Sequence, residues 1–219
     1  AQLAWIYQLR AIAELRAREM TNAQEQQQKA LDMARLWVQN TGNGWDQRRA
    51  LSDVLGFTGD FYASQKDDVQ ARAAYEEAVK LARELTAQDP TSEDGRNTAN
   101  IQLIRLAGFE KARGTDKHLK LYQEALEIAR QMVKADPLGQ TKQVALALSL
   151  APAGEHAQAS KVGEELLAKS PHPDAELLID MARVFAQCSA APGLKDFEAA
   201  NYKKRALECL AKAGGQGYR

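Results

Sequence analysis

Hydrophobic residues recur at helical spacing along most of the chain. In the first segment they lie three residues apart, at Leu3, Ile6, Leu9, Ile12 and Leu15. This spacing places them on one face of a helix. Similar patterns, separated by short turn-rich stretches, predict ten helices and no convincing strand. The sequence therefore predicts an all-α fold.

Glycine, proline and capping residues mark the ends of these predicted helices. Thr21 and Asn22 break the pattern first, and Thr21 has the spacing of a capping box with Gln24. Asp89 and Asp136 each precede a proline, which disfavours the helical conformation. Because the turns are short, neighbouring helices should pair as antiparallel hairpins. The predicted hairpins span about 1–40, 45–88, 91–135, 139–170 and 174–213, in a single domain over residues 1–219.

One six-residue block occurs three times. It is found at 30–35, 78–83 and 125–130, so its copies are 48 and 47 residues apart. Recurrence at a fixed period between about 20 and 50 residues indicates stacked repeats. Each hairpin has too little apolar surface to stand alone, and stacking would bury these faces in one continuous core. The block therefore predicts an α-solenoid of about five hairpins.

The hairpins resemble the tetratricopeptide repeat. Gly59 is followed twelve residues later by Ala71 and then by Tyr75 and Ala78, which matches the small, aromatic, small series of that family. Ala107 repeats the small residue 48 positions after Gly59. The period is longer than usual and is similar to a bacterial long-period variety. The resemblance implies a right-handed superhelix whose first helices line a concave, protein-binding groove.

Charge and hydropathy limit the classes of partner. Lys plus Arg and Asp plus Glu are both 29, so the formal net charge is zero. Without a long-range field, we expect no nucleic-acid partner. The longest apolar run, about 144–153, is too short for a membrane span, so no membrane insertion is expected.

The beginning of the chain bears on its location. It carries no secretory signal peptide, which favours a cytoplasmic location. It also opens inside a predicted helix without an initiator Met, which we interpret as a fragment or a processed product.

We find no catalytic or metal-binding pattern in the sequence. His118, His156 and His172 fall near separate turns, and no Cys-x-x-Cys motif occurs. Cys188 and Cys209 lie in helical stretches and are expected to be small buried thiols, with a disulfide or a reactive thiol as the alternative. The prediction is a chain that is not an enzyme and needs no cofactor.

The resemblance also implies which residues face the groove. Its inner positions are acidic near Asp53 and Asp60 and apolar farther along the chain. The alternative is that these apolar residues belong to the core. The predicted partner-binding residues are Asp53, Asp60, Ile101, Ile104, Lys111, Val144, Leu148, Leu178 and Phe185.

Two functions remain open at this point. The first is a scaffold that binds a peptide or helical segment of another protein in its groove. The second is a regulatory or sensor segment of a larger bacterial signalling protein. The last predicted helix has a polar capping face, but the first, with Trp5 and Ile6, does not. Self-association through the N-terminal hairpin is therefore a further prediction.

Overall fold

A computed structural model describes residues 20–216, and within that range it is helical with short connections and no strand. This result confirms the all-α prediction. The predicted first helix, over 1–19, lies outside the described residues. The helices of the described range are α1 (Met20–Asn40), α2 (Trp45–Ser64), α3 (Asp68–Gln88), α4 (Glu93–Ala112), α5 (Lys117–Ala135), α6 (Gln140–Leu150), α7 (His156–Lys169), α8 (Ala175–Ser189) and α9 (Asp196–Gly215).

The predicted helix ends agree with these bounds except at the start of α1. Thr21 and Asn22 were expected to precede the helix, but α1 already begins at Met20, so both lie in its first turn. The predicted break from a preceding helix lies outside the described residues. A local capping pattern is only a weak preference, and the surrounding residues, rich in Gln and Ala, are good helix formers.

Side-chain caps start several helices. Asp67 accepts a hydrogen bond from the backbone N–H of Gln70 at 3.1 Å, and Ser92 accepts one from Gly95 at 3.1 Å. Asp174 caps α8 in the same way, at 2.8 Å from the N–H of Leu177. Each cap satisfies a backbone donor that the first helical turn leaves free.

The two Asp-Pro sequences form similar turns. Asp89 Oδ1 accepts hydrogen bonds from the backbone N–H groups of Thr91 and Ser92, at 2.9 and 3.1 Å. Asp136 Oδ1 accepts one from the N–H of Gly139 at 3.1 Å. Hydrogen bonds from Thr91 hold the pKa of Asp89 below its ordinary value, and a hydrogen bond from Lys142 does the same for Asp136. In each turn the aspartate ends one helix and orders the approach to the next.

The chain divides into two compact units, one up to His118 and one from Leu119 onward. In the first unit α2 packs against α1, α3 and α4, and α4 also packs against α3. Leu51, Val54 and Leu55 of α2 form a buried cluster with Ala30 and Ala78. Helix α2 is therefore packed against three neighbouring helices.

Gly59 of α2 lies directly against the ring of Tyr75 on α3. A Cβ at this position would lie 2.5 Å from the ring of Tyr75. The Tyr75 ring is buried, 5.3 Å from the ring of Phe109, and its hydroxyl donates to Asp60 Oδ1 at 2.7 Å. A residue without a side chain thus lets the aromatic ring pack directly on the neighbouring helix.

The second unit has its own core, centred on α8. This helix packs against α6, α7 and α9. Met181, Val184, Phe185 and Cys188 of α8 are completely buried, as is Leu150 at the end of α6.

The three copies of the repeated block have the same pattern of burial. Their first, second and fifth residues are buried in every copy, and their third and sixth residues are exposed. The buried set is Ala30, Leu31, Ala34, Ala78, Val79, Ala82, Ala125, Leu126 and Ala129. The block is therefore a scaffold element whose small alanines face neighbouring helices.

Candidate functional site

Helices α2 and α4 of the first unit pack against each other and together form a surface with both polar and apolar residues. We call it the α2–α4 face and define it by Asp53, Gly56, Phe57 and Asp60 of α2 and Ile101, Gln102, Ile104 and Arg105 of α4. Gln102 Nε2 donates to Asp53 Oδ1 at 3.2 Å, and Arg105 Nη1 lies 3.3 Å from Asp60 Oδ2. These contacts join the two helices through their side chains.

Apolar side chains on α4 contribute exposed area to this face. Ile101 is 38% exposed, and Ile104 is half-buried one turn farther along the helix. Residues three and four apart share one side of a helix, so Ile101, Ile104 and Arg105 form a continuous stripe. Lys111 is also on α4 and is exposed.

Asp53 is a partly buried carboxylate with two cationic neighbours. Burial raises its pKa, against the lowering effect of Arg49 and Arg105. Arg49 Nη1 lies 3.7 Å from Asp53 Oδ2. Along this face Arg49 is thus paired with Asp53 and Arg105 with Asp60, so its close charges balance.

Arg105 lies flat against Phe57. Its guanidinium carbon is 4.2 Å from the ring centroid, a cation–π contact. Its partner Asp60 also accepts the hydrogen bond from Tyr75, whose pKa is raised by burial, so the phenol stays protonated as a donor. These contacts orient Arg105 over the seam between the helices.

Sequence patterns did not indicate that Gln102, Arg105 and Phe57 belong to this face. Gln102 is 1% exposed, although glutamine is normally a surface residue. The signal for Gln102 in the sequence was a polar residue within the apolar stripe of a predicted helix. Gln102 is recognised as part of the α2–α4 face only because it lies against Gly56 of α2. These two residues are far apart in the sequence, so periodicity along one helix does not reveal their contact.

The remaining predicted site residues lie in the second unit. Val144 and Leu148 of α6 are half-buried and pack against its core. Leu178 is 1% exposed and Phe185 is completely buried, so these two side chains are core residues. Of the two alternatives that the sequence left open, the structure places Leu178 and Phe185 in the core.

A cavity of about 210 Å³ lies between α6 and α8 in the second unit. Its α8 wall is acidic and contains Asp174, Glu176 and Asp180. Its α6 wall contains Thr141 and Val144. Burial raises the pKa of Asp180. Asp174 caps α8 and Glu176 is in its first turn, where negative charge stabilises a helix. Helix stabilisation accounts for two of these three carboxylates.

Both cysteines are buried free thiols. The expectation of small buried thiols is therefore confirmed, and no disulfide joins Cys188 and Cys209 in this structure. Burial raises the pKa of Cys188 to about 11, and its thiol contacts the carbonyl oxygen of His156 at 3.4 Å. Cys188 is not a thiolate at neutral pH.

Residues 20–216 contain no cluster of three or more His, Cys, Asp or Glu side chains that could hold a metal ion. Within that range no helix has the length and apolar character needed to cross a bilayer.

These features define a tetratricopeptide-like helical-repeat fold: paired helices, a small residue under an aromatic ring, and a repeated block with constant burial. No family model and no curated protein matches the chain significantly.

Among solved structures, a MamA structure (MSR-1 C2) has 14% identity and a TM-score of 0.48, covering 96% of this chain and 98% of that one. BtubC from P. vanneervenii has 17% identity and a TM-score of 0.46, with 88% and 91% covered. A tetratricopeptide repeat protein from Parabacteroides merdae has 13% identity and a TM-score of 0.35, with 100% and 95% covered.

Proposed function

We propose that this chain is a non-catalytic interaction module that binds a segment of another protein on the α2–α4 face. The apolar stripe formed by exposed Ile101 and half-buried Ile104, beside paired charges, is the observation that carries the proposal. An apolar stripe with polar edges suits an amphipathic helix or an extended segment with apolar side chains.

The balanced charges of the face define the character of the partner segment. Asp53 and Asp60 each lie near an arginine, so neither sign of charge is in excess. Burial of apolar area should therefore supply most of the affinity, with the polar pairs setting the register. The predicted contacts are Asp53, Asp60, Ile101, Ile104 and Lys111.

The test replaces Ile101 by Glu and compares the proteins captured from a native lysate by the immobilised wild type and variant. A carboxylate in the middle of the stripe must be desolvated on binding, so capture of the specific partner should be lost. Leu207→Glu is the matched control, because Leu207 is 65% exposed on α9 in the other unit. The control should retain capture.

Circular dichroism separates binding from folding in this experiment. Both variants should melt within about 4 °C of the wild type, since exposed substitutions rarely change stability by more than about 0.5 kcal/mol. Unchanged capture by Ile101→Glu would contradict the proposal. A large fall in its melting temperature would show instead that Ile101 is a core residue.

A further inference from the structure

The last helix of the second unit, α9, carries one line of exposed residues along its length. Members of this line alternate three and four positions apart, the spacing that places residues along one side of a helix. Phe197 is 68% exposed and Leu207 is 65% exposed, whereas the opposite side of the helix, with Ala206 and Cys209, is buried. We define the α9 seam as Phe197, Ala200, Lys204, Leu207, Ala211 and Gly214.

The α9 seam includes a position that the repeated block buries elsewhere. Residues 206–208, Ala-Leu-Glu, repeat the first three residues of the block at 125–130. The second residue of the block is at most 7% exposed in its three copies, as Leu31, Val79 and Leu126. Leu207 occupies this second position on α9, yet it is 65% exposed. The polar face expected of a terminal repeat thus contains apolar side chains that a further helix would cover.

The seam is self-complementary when a second copy of α9 runs antiparallel to the first. A two-fold axis through the middle of the seam, between positions 205 and 206, places each seam residue opposite another seam residue of the second copy. Phe197 then faces Gly214 of the second copy, and Ala200 faces Ala211. A Cβ at Gly214 would have no neighbour within 4 Å, so the phenylalanine ring has room there. The facing alanines let the two helices approach closely.

The charges at the centre of the seam balance one another. Lys204 faces Leu207 of the second copy, so its aliphatic stem lies along an apolar side chain while its ammonium group stays at the edge. The ammonium nitrogen is 4.0 Å from Glu208 Oε1 of its own helix. The two-fold axis brings two lysines and two glutamates together, so the contact has no net charge and no self-repulsion.

We propose that two copies of this chain associate through their α9 seams as an antiparallel, two-fold-symmetric dimer. The matching of a large residue to glycine and of alanine to alanine, by one and the same axis, favours a second copy over an unrelated helix. One helix from each copy buries less area than a standard protein–protein interface, so we expect a dissociation constant on the order of 10 µM. This association is separate from partner binding on the α2–α4 face.

Sedimentation velocity of the whole chain, from about tenfold below to about tenfold above that concentration, should show a reversible change from monomer to dimer. Phe197→Asp should weaken dimerisation by about tenfold or more, because each dimer must then desolvate two carboxylates. Val69→Asp is the matched control, since Val69 is 77% exposed and is likewise the second residue of a helix, α3. Aspartate in a first turn stabilises a helix, so both variants should fold, and the control should dimerise like the wild type.

Cysteine cross-linking tests the antiparallel register. The Ala200→Cys chain mixed with the Ala211→Cys chain should form a disulfide under mild oxidation, because the two positions face each other across the seam. Either chain alone should cross-link far more slowly, since equivalent residues of the two copies lie about 16 Å apart along the helix axis. The native thiols of Cys188 and Cys209 are buried and should not compete.

A monomer at every concentration, an unchanged dimer in Phe197→Asp, or equal weakening in Val69→Asp would each overturn the proposal. Faster cross-linking of Ala200→Cys with itself than with Ala211→Cys would also overturn it. Circular dichroism checks folding, and Leu207→Glu replaces Phe197→Asp if that variant unfolds. Leu207→Glu should lose the dimer yet still capture the partner of the α2–α4 face, so the dimer and the proposed function can fail separately.

Discussion

Among the described residues of the first unit, Glu110 is the most completely buried carboxylate, and it is held by hydrogen bonds on both oxygens. It is 1% exposed, and it accepts from Arg72 Nε at 2.8 Å and from the Thr115 hydroxyl at 2.6 Å. Burial alone would raise the pKa of Glu110, but the hydrogen bonds from Arg72 and Thr115 outweigh it and lower the pKa. The ionised form is therefore the one that the fold stabilises.

Replacement of Glu110 by Gln should lower the unfolding free energy at neutral pH by about 1–2 kcal/mol, because charge-assisted hydrogen bonds become neutral ones. A depressed carboxyl pKa contributes stability above the unfolded-state pKa, here 4.5, and loses it as pH falls through the folded-state pKa. The difference between wild type and variant should thus be constant near neutral pH and shrink well below pH 4.5. Urea unfolding at several pH values measures it, and a difference independent of pH would contradict this account.

The candidate site was only partly predictable from single residues. Asp53, Asp60, Ile101 and Ile104 were identified through a resemblance that fixes which helical positions face inward. Gln102 and Arg105 were not, because their significance comes from Gly56, which lies on a different helix. Periodicity along one helix reports its own faces, whereas contacts across a seam depend on how two helices approach each other.

Close packing of α2 on α3 depends on Gly59. Its substitution by Ala would place a methyl group 2.5 Å from the buried Tyr75 ring, so the helices must separate or the ring must leave its position. We expect a loss of about 1–3 kcal/mol from this overpacking, measured by chemical unfolding. Gly214→Ala, the same change in open space on α9, should be neutral or stabilising by up to about 1 kcal/mol. Equal effects of the two substitutions would show that Gly59 has no packing role.

The positions of the helices were the most predictable feature of this structure. Both α2 and α6 begin and end where turn residues and periodicity placed their ends. The repeated block also correctly indicated scaffold positions, since equivalent residues are buried in every copy. The start of α1 at Met20, just before Thr21 and Asn22, shows that local capping signals place a helix end only to within one or two residues.

At the scale of the whole molecule, the equal numbers of acidic and basic residues predict a partner affinity that depends little on salt. The charges of the α2–α4 face are also paired, so screening should remove little attraction. We expect the dissociation constant of a captured partner to change by less than about threefold between about 0.05 M and about 0.5 M NaCl. A loss of affinity of tenfold or more would point to a partner held chiefly by charge.

The fold class followed from the sequence because one pattern, helical periodicity, runs through the whole chain. The division into two compact units did not, since it depends on which helices share a core. Likewise, Leu178 and Phe185 could be assigned to a groove or to a core only once their neighbours were known. Sequence patterns determine the amphipathic faces, and packing then decides which of them remain exposed.

The buried thiols make the chain well suited to site-specific spectroscopy. Cys188 and Cys209 are its only cysteines, both are covered by neighbouring helices, and burial raises both pKa values. Maleimide reagents attack the exposed thiolate, so the native protein should remain unlabelled. A single cysteine introduced on the surface could then carry a spin label or a fluorophore without removal of any native residue.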